Sequence, residues 1–128
     1  MNIRSTGALA SLAGAAIATL AIQGLHAQSK LPVYVVTAVD IADLDAYTKE
    51  YLPVIQASIK ASGGRLIAAG QNIVTFEGEP PGTRVAINQF DSLEAAQAWR
   101  ASTGYKDARK IGEKYAKFRS YAVSGVPQ

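Results

Sequence analysis

The chain has 128 residues, a length that suits one small domain. It carries a formal net charge of +3, and 18% of its residues are charged. It contains no cysteine, which excludes disulfides, thiolate nucleophiles and thiolate metal sites. Its one histidine, His26, lies in a segment that resembles an export signal, so the mature protein would have no imidazole-based catalytic triad and no ordinary transition-metal site. We therefore expect neither a bound metal nor a cofactor.

The N-terminal segment, residues 1–27, has the three parts of a secretory signal peptide. Arg4 supplies the positive charge, an Ala- and Leu-rich run follows it, and Ala27 is a small residue before Gln28. We predict cleavage near Ala27/Gln28, a periplasmic or secreted mature protein at 28–128, and no stable membrane anchor afterwards. An uncleaved anchor is the alternative, which the weak and glycine-interrupted hydrophobicity of the run disfavours.

The first half of the mature chain predicts a strand, a helix and a turn. Residues 33–39 form a nearly continuous β-branched apolar run, which indicates a buried strand. A helix follows, and Pro53 should kink or divide it because proline cannot donate the i→i−4 hydrogen bond. Its apolar face carries Leu44, Tyr47, Tyr51, Ile55 and Ile59. Gly63-Gly64 predicts a left-handed C-cap.

The second half predicts three more strands and a second helical region. We expect strands at 65–69, 85–90 and 118–123, with residues 73–77 also extended. Asp91 and Glu94 match a capping box, which predicts that a helix begins there. That helix should run through Trp99, pause at 102–104 and continue over 105–117.

This order, β-α-β-β-α-β, predicts an α+β fold: a ferredoxin-like antiparallel sheet with two helices on one face. The first strand is apolar on both faces, whereas two helices can cover only one. Exposed apolar surface costs about 25 cal/mol per Å², and a small domain has few ways to offset that cost. We therefore predict a homodimer through the open face, near Val35, Ile87 and Tyr121.

Several short segments together resemble a known family. They are Val-Tyr-Val-Val at 33–36, Tyr47 with Tyr51, Gly63-Gly64-Arg65, the run from Phe90 to Ala96, and Trp99 with Tyr105. From about Pro32 to Gly125 the chain is similar to domain of unknown function family 1330 (DUF1330). The resemblance implies a ferredoxin-like, dimeric α+β-barrel domain with its core at about 32–125. It also implies kinship with cofactor-free monooxygenases, dye-decolourising enzymes and stress-responsive barrels. The added signal and Thr103-Gly104 depart from the family's usual pattern.

Six residues are candidates for ligand binding: Tyr47, Tyr51, Arg65, Asn88, Trp99 and Tyr105. The four aromatic residues can line a cavity and stack on a planar ligand, or pack in the core at helical spacing. Arg65 can hold a carboxylate or phenolate, or form an ion pair with Asp40, Glu77 or another surface carboxylate. The mid-strand amide of Asn88 needs partners, in a cavity or across a dimer. Arg84, Arg109 and Glu77 are further candidates of the same kind.

Four lysines recur near helical spacing toward the C-terminus: Lys106, Lys110, Lys114 and Lys117. A stripe of this kind on one helix face can contact anionic lipid or nucleic acid. Export disfavours nucleic acid, and we expect no nucleic-acid partner. A solvated helix face is the simpler interpretation.

Two functions from different classes remain open. The sequence contains no glycine-rich phosphate loop, no convincingly placed carboxylate pair and no identifiable nucleophile, so catalytic residues are not assigned. The first function is a dimeric small-molecule binding or stress-related module that takes a small aromatic or planar ligand. The alternative is a cofactor-free oxygenase or isomerase acting on a small planar organic substrate, by analogy of fold.

Overall fold

A computed structural model describes residues 31–128, and the predicted signal peptide lies outside the described residues. The strands are β1 Val33–Ile41, β2 Arg65–Gly70, β3 Arg84–Phe90 and β4 Ala116–Ser124. Helix α1 comprises the consecutive segments Leu44–Ala46, Tyr47–Tyr51 and Leu52–Ala61; α2 is Leu93–Ala101 and α3 is Thr103–Gly112. The strands form one antiparallel sheet in the order β2-β3-β1-β4. The predicted ferredoxin-like α+β fold is therefore confirmed.

The alternation of side chains along β1 decides which residues lie beneath the helices. Val33, Val35 and Val39 are buried in the core that the helices cover. Residues paired across an antiparallel sheet share a face, so Asn88, opposite Val35, and Arg84, opposite Val39, are on this inner face too.

The predicted open face needs one correction, because Val35 lies on the inner face. Its neighbour Val36 is the residue paired with Ile87 on β3 and with Tyr121 on β4. Since strand side chains alternate with a period of two, an error of one residue moves a side chain to the opposite face.

Helix α1 changes geometry at the position where Pro53 predicted an interruption. The segment Tyr47–Tyr51 is π-helical, and the Leu52 N–H donates to the carbonyl of Tyr47. Pro53 then lies in the first turn of the following α-helical segment, where its missing N–H costs little. Both tyrosines are buried, with ring centroids 5.0 Å apart.

Helix α2 begins one residue later than the capping-box prediction. The N-cap is Ser92, whose Oγ accepts a hydrogen bond of 3.1 Å from the Ala95 N–H, so the prediction of Asp91 as N-cap is wrong. Serine is an equally good N-cap, and the sequence pattern alone does not distinguish the two. The predicted pause at 102–104 reduces to Ser102, which ends α2 and caps α3.

Helix α3 ends at Gly112, five residues before the predicted end at 117. The next strand begins at Ala116, so Lys114 lies in the connection and Lys117 lies on β4. The predicted four-lysine helical stripe is therefore wrong; only Lys106 and Lys110 are on the helix. Gly112 packs against the rings of Tyr51 and Phe118, which brings the chain back to the sheet.

The connection between β2 and β3 lies outside the sheet. Residues 73–77, predicted to be extended, pair with no strand within residues 31–128. Two apolar side chains in this connection face solvent: Val74 is 76% exposed and Phe76 is 93% exposed. Within the described part of the chain, no helix is both long enough and apolar enough to cross a membrane.

Candidate functional site

A cavity of about 40 Å³ lies between helix α1 and the inner face of the sheet. Because one water molecule needs about 10–15 Å³ of such space, the cavity has room for about three waters. Aromatic walls come from Tyr47, Tyr51, Trp99 and Phe118, and polar groups come from Thr37, Gln56, Arg84, Asn88 and Arg109. Among the described residues that line it, none is acidic.

The structure brings together four of the six predicted site residues. Tyr47, Tyr51, Asn88 and Trp99 all line the cavity, and the three aromatic residues belong to the hydrophobic core at the same time. The two interpretations of the aromatic residues, cavity wall and core packing, therefore both hold. Arg65 and Tyr105 do not line this cavity.

Tyr105 lies outside the cavity but forms a hydrogen bond with Arg109, which lines it. The Arg109 Nε donates to the Tyr105 hydroxyl at 3.0 Å, and Nη1 donates to the Tyr51 hydroxyl at 3.2 Å. The guanidinium also lies 3.8 Å from the centroid of the Phe118 ring. A cation that is hydrogen-bonded and stacked in this way has one defined position. Arg109 is thus presented to the cavity as a fixed positive charge.

Burial controls the protonation of the two cavity tyrosines. Desolvation raises the pKa of Tyr47 above its ordinary value of 10.0, although the nearby guanidinium groups of Arg84 and Arg109 act in the opposite direction. Desolvation also raises the pKa of Tyr51, again against the charge of Arg109. Both side chains are neutral phenols at physiological pH and can donate a proton in a hydrogen bond.

Trp99 forms one wall of the cavity, and its only side-chain polar atom already has a hydrogen-bond partner. Its Nε1–H donates to the Ser58 Oγ at 3.1 Å, and that hydroxyl donates to the Ile55 carbonyl at 2.8 Å. The indole ring also packs on Phe90, with 5.2 Å between centroids. Trp99 can therefore offer a ligand its ring surface, and its N–H is committed to helix α1.

Asn88 and Arg84 contribute the polar atoms that lack partners. Asn88 is only 4% exposed, and its Oδ1 is buried without a hydrogen-bond partner among the described residues. The Nε of Arg84 is likewise buried and unpartnered within that part of the chain. Buried polar atoms are nearly always hydrogen-bonded in folded proteins, so two such atoms at one cavity indicate a place for a ligand or water.

Arg65 lines a second pocket, of about 420 Å³, between helix α1 and strand β2. Its Nη2 donates to Oε1 of Gln89 at 3.1 Å, rather than pairing with Asp40 or Glu77 as the alternative interpretation suggested. This outer pocket also includes Lys60 and Gly64. It shares four lining residues with the inner cavity: Gln56, Ile59, Leu66 and Asn88. The two spaces are therefore neighbours, with Asn88 at their junction.

The two arginines of the cavity were the residues hardest to select from sequence. Arg84 has a detectable signal, since it precedes Ala86 and Asn88 at a period of two on the inner face of β3. Arg109 has none, because its position depends on the packing of α3 against α1. Within residues 31–128 no group of three His, Asp or Glu residues could hold a metal ion.

An antiparallel sheet covered on one face by helices, with an aromatic and cationic cavity between the layers, defines a ferredoxin-like α+β domain with a candidate site between its layers. The chain belongs to the family described as "Domain of unknown function (DUF1330)", whose model matches residues 32–126. The resemblance drawn from the sequence is thereby confirmed. No protein among the curated ones compared with the chain matches it.

Solved structures share the fold at low sequence identity. The methylated RPA0582 protein of Rhodopseudomonas palustris is 18% identical, with a TM-score of 0.60 over 81% of this chain and 91% of that one. SnoaB from Streptomyces nogalater, described as a cofactor-independent oxygenase, is 11% identical, with a TM-score of 0.57 over 77% and 96%. An ethyl tert-butyl ether D (EthD) family protein from Bacillus halodurans is 16% identical, with a TM-score of 0.56 over 75% and 99%.

Proposed function

We propose that the protein is an exported, dimeric binding module that takes a small organic molecule between helix α1 and the sheet. The observation that carries this proposal is the pair of unpartnered buried polar atoms, Asn88 Oδ1 and Arg84 Nε, at a cavity with aromatic walls. A few polar groups converging on an apolar concave site are the usual composition of a small-molecule site. Hydrogen-bonded Trp99 and Arg109 give the walls a fixed geometry.

The test of this proposal is direct binding with a matched pair of variants. Isotope-labelled protein is titrated with a panel of small planar acids, amides and phenols while amide and indole N–H signals are followed. We expect at least one compound to shift the Trp99 indole signal saturably. Asn88→Leu should weaken that binding, whereas Asn72→Leu, the same change in the exposed connection, should not. Absence of saturable shifts across the panel would contradict the proposal.

A second function, cofactor-free oxygenase or isomerase, is supported by two observations. The fold is shared with SnoaB, which is described as a cofactor-independent oxygenase. The cavity also holds the neutral phenols of Tyr47 and Tyr51, which can donate a proton to a bound oxygen atom. An oxygen electrode and product analysis decide between the functions: turnover of any compound that binds, lowered by Tyr51→Phe, favours an enzyme. Binding without turnover or isomerisation favours the module.

The proposed dimer is supported by the face of the sheet that the helices leave uncovered. Tyr121 and Val123 on β4 are each more than half exposed there, beside Ile87 and Val36. A second copy could cover these apolar groups without any other partner. Apolar side chains in this number on one sheet face are typical of an interface.

A further inference from the structure

We propose that the molecule bound is an amphipathic organic acid. Its carboxylate lies in the inner cavity at Arg84 and Arg109, a hydroxyl or N–H group on it donates to Asn88, and its apolar body lies in the outer pocket. This inference rests on the proposed binding function and names the class of ligand. It follows from the charge, the free hydrogen-bonding atoms and the shape of the site.

The charge of the site calls for an anion. Two arginines line the inner cavity, and no lining residue is acidic. Of the described residues only the exposed Lys49 and Asp45 form an ion pair, at 3.2 Å, so neither arginine is neutralised by a carboxylate within that part of the chain. Both arginines are partly buried without a carboxylate partner among the described residues, and the planar guanidinium matches a carboxylate.

The two arginines differ in how far their hydrogen bonds are already satisfied. Arg109 is held by the hydroxyls of Tyr51 and Tyr105 and by the Phe118 ring. In contrast, the Nε of Arg84 is buried with no partner among the described residues. An Nε–H beside a terminal N–H is one of the two donor pairs through which a guanidinium binds a carboxylate in bidentate fashion. Arg84 is thus the principal binding group, and Arg109 adds a fixed positive charge.

The bound acid must also carry a hydrogen-bond donor for the side-chain oxygen of Asn88. Its Oδ1 can only accept, and it has no partner among the described residues. Arg84 and Asn88 are four residues apart on the same face of β3, a separation of about 13 Å between Cα atoms. The long arginine side chain spans part of that distance. The donor group of the ligand must therefore be several bonds away from the carboxylate.

The volumes of the inner cavity and the outer pocket determine the orientation of the bound acid. The inner cavity, about 40 Å³, accommodates a carboxylate but is smaller than the space of about 150 Å³ that holds a benzene ring. The outer pocket, about 420 Å³, is large enough for a ring and shares Ile59, Leu66 and Asn88 with the inner one. The acid group therefore enters first, and the apolar body stays outside, between Leu66 and Ile59.

The test uses three probes that differ by one feature: 6-hydroxy-6-phenylhexanoate, whose narrow chain separates the carboxylate from the hydroxyl and the ring, its amide 6-hydroxy-6-phenylhexanamide, and its methyl ether 6-methoxy-6-phenylhexanoate. Dissociation constants are measured by titration calorimetry at neutral pH and low salt. We expect the hydroxy acid to bind about tenfold or more tightly than the amide, which lacks the charge, and several-fold more tightly than the ether, which lacks the donor.

Substitutions assign the two preferences to residues. Arg84→Met should remove the preference for acid over amide, whereas Arg119→Met, the same change on the opposite face of the sheet, should leave it intact. Asn88→Leu should remove the preference for hydroxyl over methoxy. If Arg84→Met does not fold, as judged by circular dichroism, Arg84→Lys replaces it and should bind the acid more weakly because it loses the planar donor pair.

The outcomes separate this inference from the proposed function. Equal binding of acid and amide, or a preference for acid that survives Arg84→Met, would overturn the organic-acid inference and leave the binding function standing. Binding of neutral panel compounds alone would do the same. No binding by any probe or by the wider panel would overturn both.

Discussion

At the scale of single residues, burial rather than charge decides the state of the cavity tyrosines. Two guanidinium groups lie near Tyr47 and favour its phenolate, yet the pKa is raised because the desolvation of a buried anion costs more. The same balance holds at Tyr51, which also accepts a hydrogen bond from Arg109. The site thus keeps its two phenols protonated even beside guanidinium groups.

The raised tyrosine pKa values predict a loss of stability in alkali. An unfolded tyrosine ionises near pH 10, whereas the folded side chains stay neutral, so stability is fully present below pH 10 and falls above it. Above pH 10 the expected decline in the free energy of unfolding approaches about 1.4 kcal/mol per pH unit for Tyr51, whose pKa is raised strongly. Urea unfolding between pH 8 and pH 11 measures it.

The control for this prediction is another tyrosine. Tyr51→Phe should flatten the decline, and Tyr121→Phe, on the exposed face of β4, should leave it unchanged. Parallel curves for the wild type and Tyr51→Phe would show that this phenol does not cause the effect.

At the scale of secondary-structure elements, Gly112 couples the end of α3 to α1 and β4. A Cβ placed there would lie 2.7 Å from two ring carbons of Tyr51 and 2.9 Å from the Phe118 ring. Both rings belong to the cavity wall, and Tyr51 also holds Arg109. The close approach of these elements therefore sets the shape of the site.

Gly112→Ala should destabilise the protein, although alanine normally favours a helix by about 0.5–1 kcal/mol. We expect a loss of about 1–3 kcal/mol in the free energy of unfolding, because overpacking shifts the two rings. Gly104→Ala is the comparison: the nearest atom there is 3.3 Å away, so its effect should be smaller. An unchanged or increased stability of Gly112→Ala would refute the tight contact.

At the scale of the whole molecule, the uncovered face of the sheet leads to a prediction about assembly. Light scattering at micromolar concentration should give about twice the monomer mass. Ile87→Asp should dissociate or unfold the dimer, because it buries an unpaired charge at the centre of that face. Val54→Asp, a similar change on an exposed position of helix α1, should leave the mass unchanged. A soluble monomeric wild type would contradict the dimer.

Export is the second prediction at this scale, and it rests on the N-terminal sequence alone. Protein recovered from a periplasmic fraction should begin at or near Gln28 when its N-terminus is sequenced, since the peptidase requires a small residue such as Ala27 before the cut. Full-length protein confined to the cytoplasm would refute it.

Local patterns in the sequence were enough to predict the class of fold and four of the residues that line the cavity. The continuous apolar run at 33–39 and the helical repeats around Tyr47 and Trp99 depend on which side chains must be buried, and burial acts on each element separately. The order of the elements then restricted the topology to a ferredoxin-like sheet. For the same reason the sequence identified Tyr47, Tyr51, Asn88 and Trp99, which the cavity does contain.

Only the tertiary structure decided the cavity's charge and its boundaries. Arg109 reaches the cavity because Tyr51, 58 residues earlier, accepts its hydrogen bond, and no local pattern specifies so distant a contact. Arg65 begins β2 and Asn88 lies near the end of β3, yet only Asn88 lines the inner cavity, while both line the outer pocket. Strand register decided that Val36, rather than the predicted Val35, lies on the open face of the sheet. Long-range packing and register determine such features, because they arise from the meeting of elements that are separate in the chain.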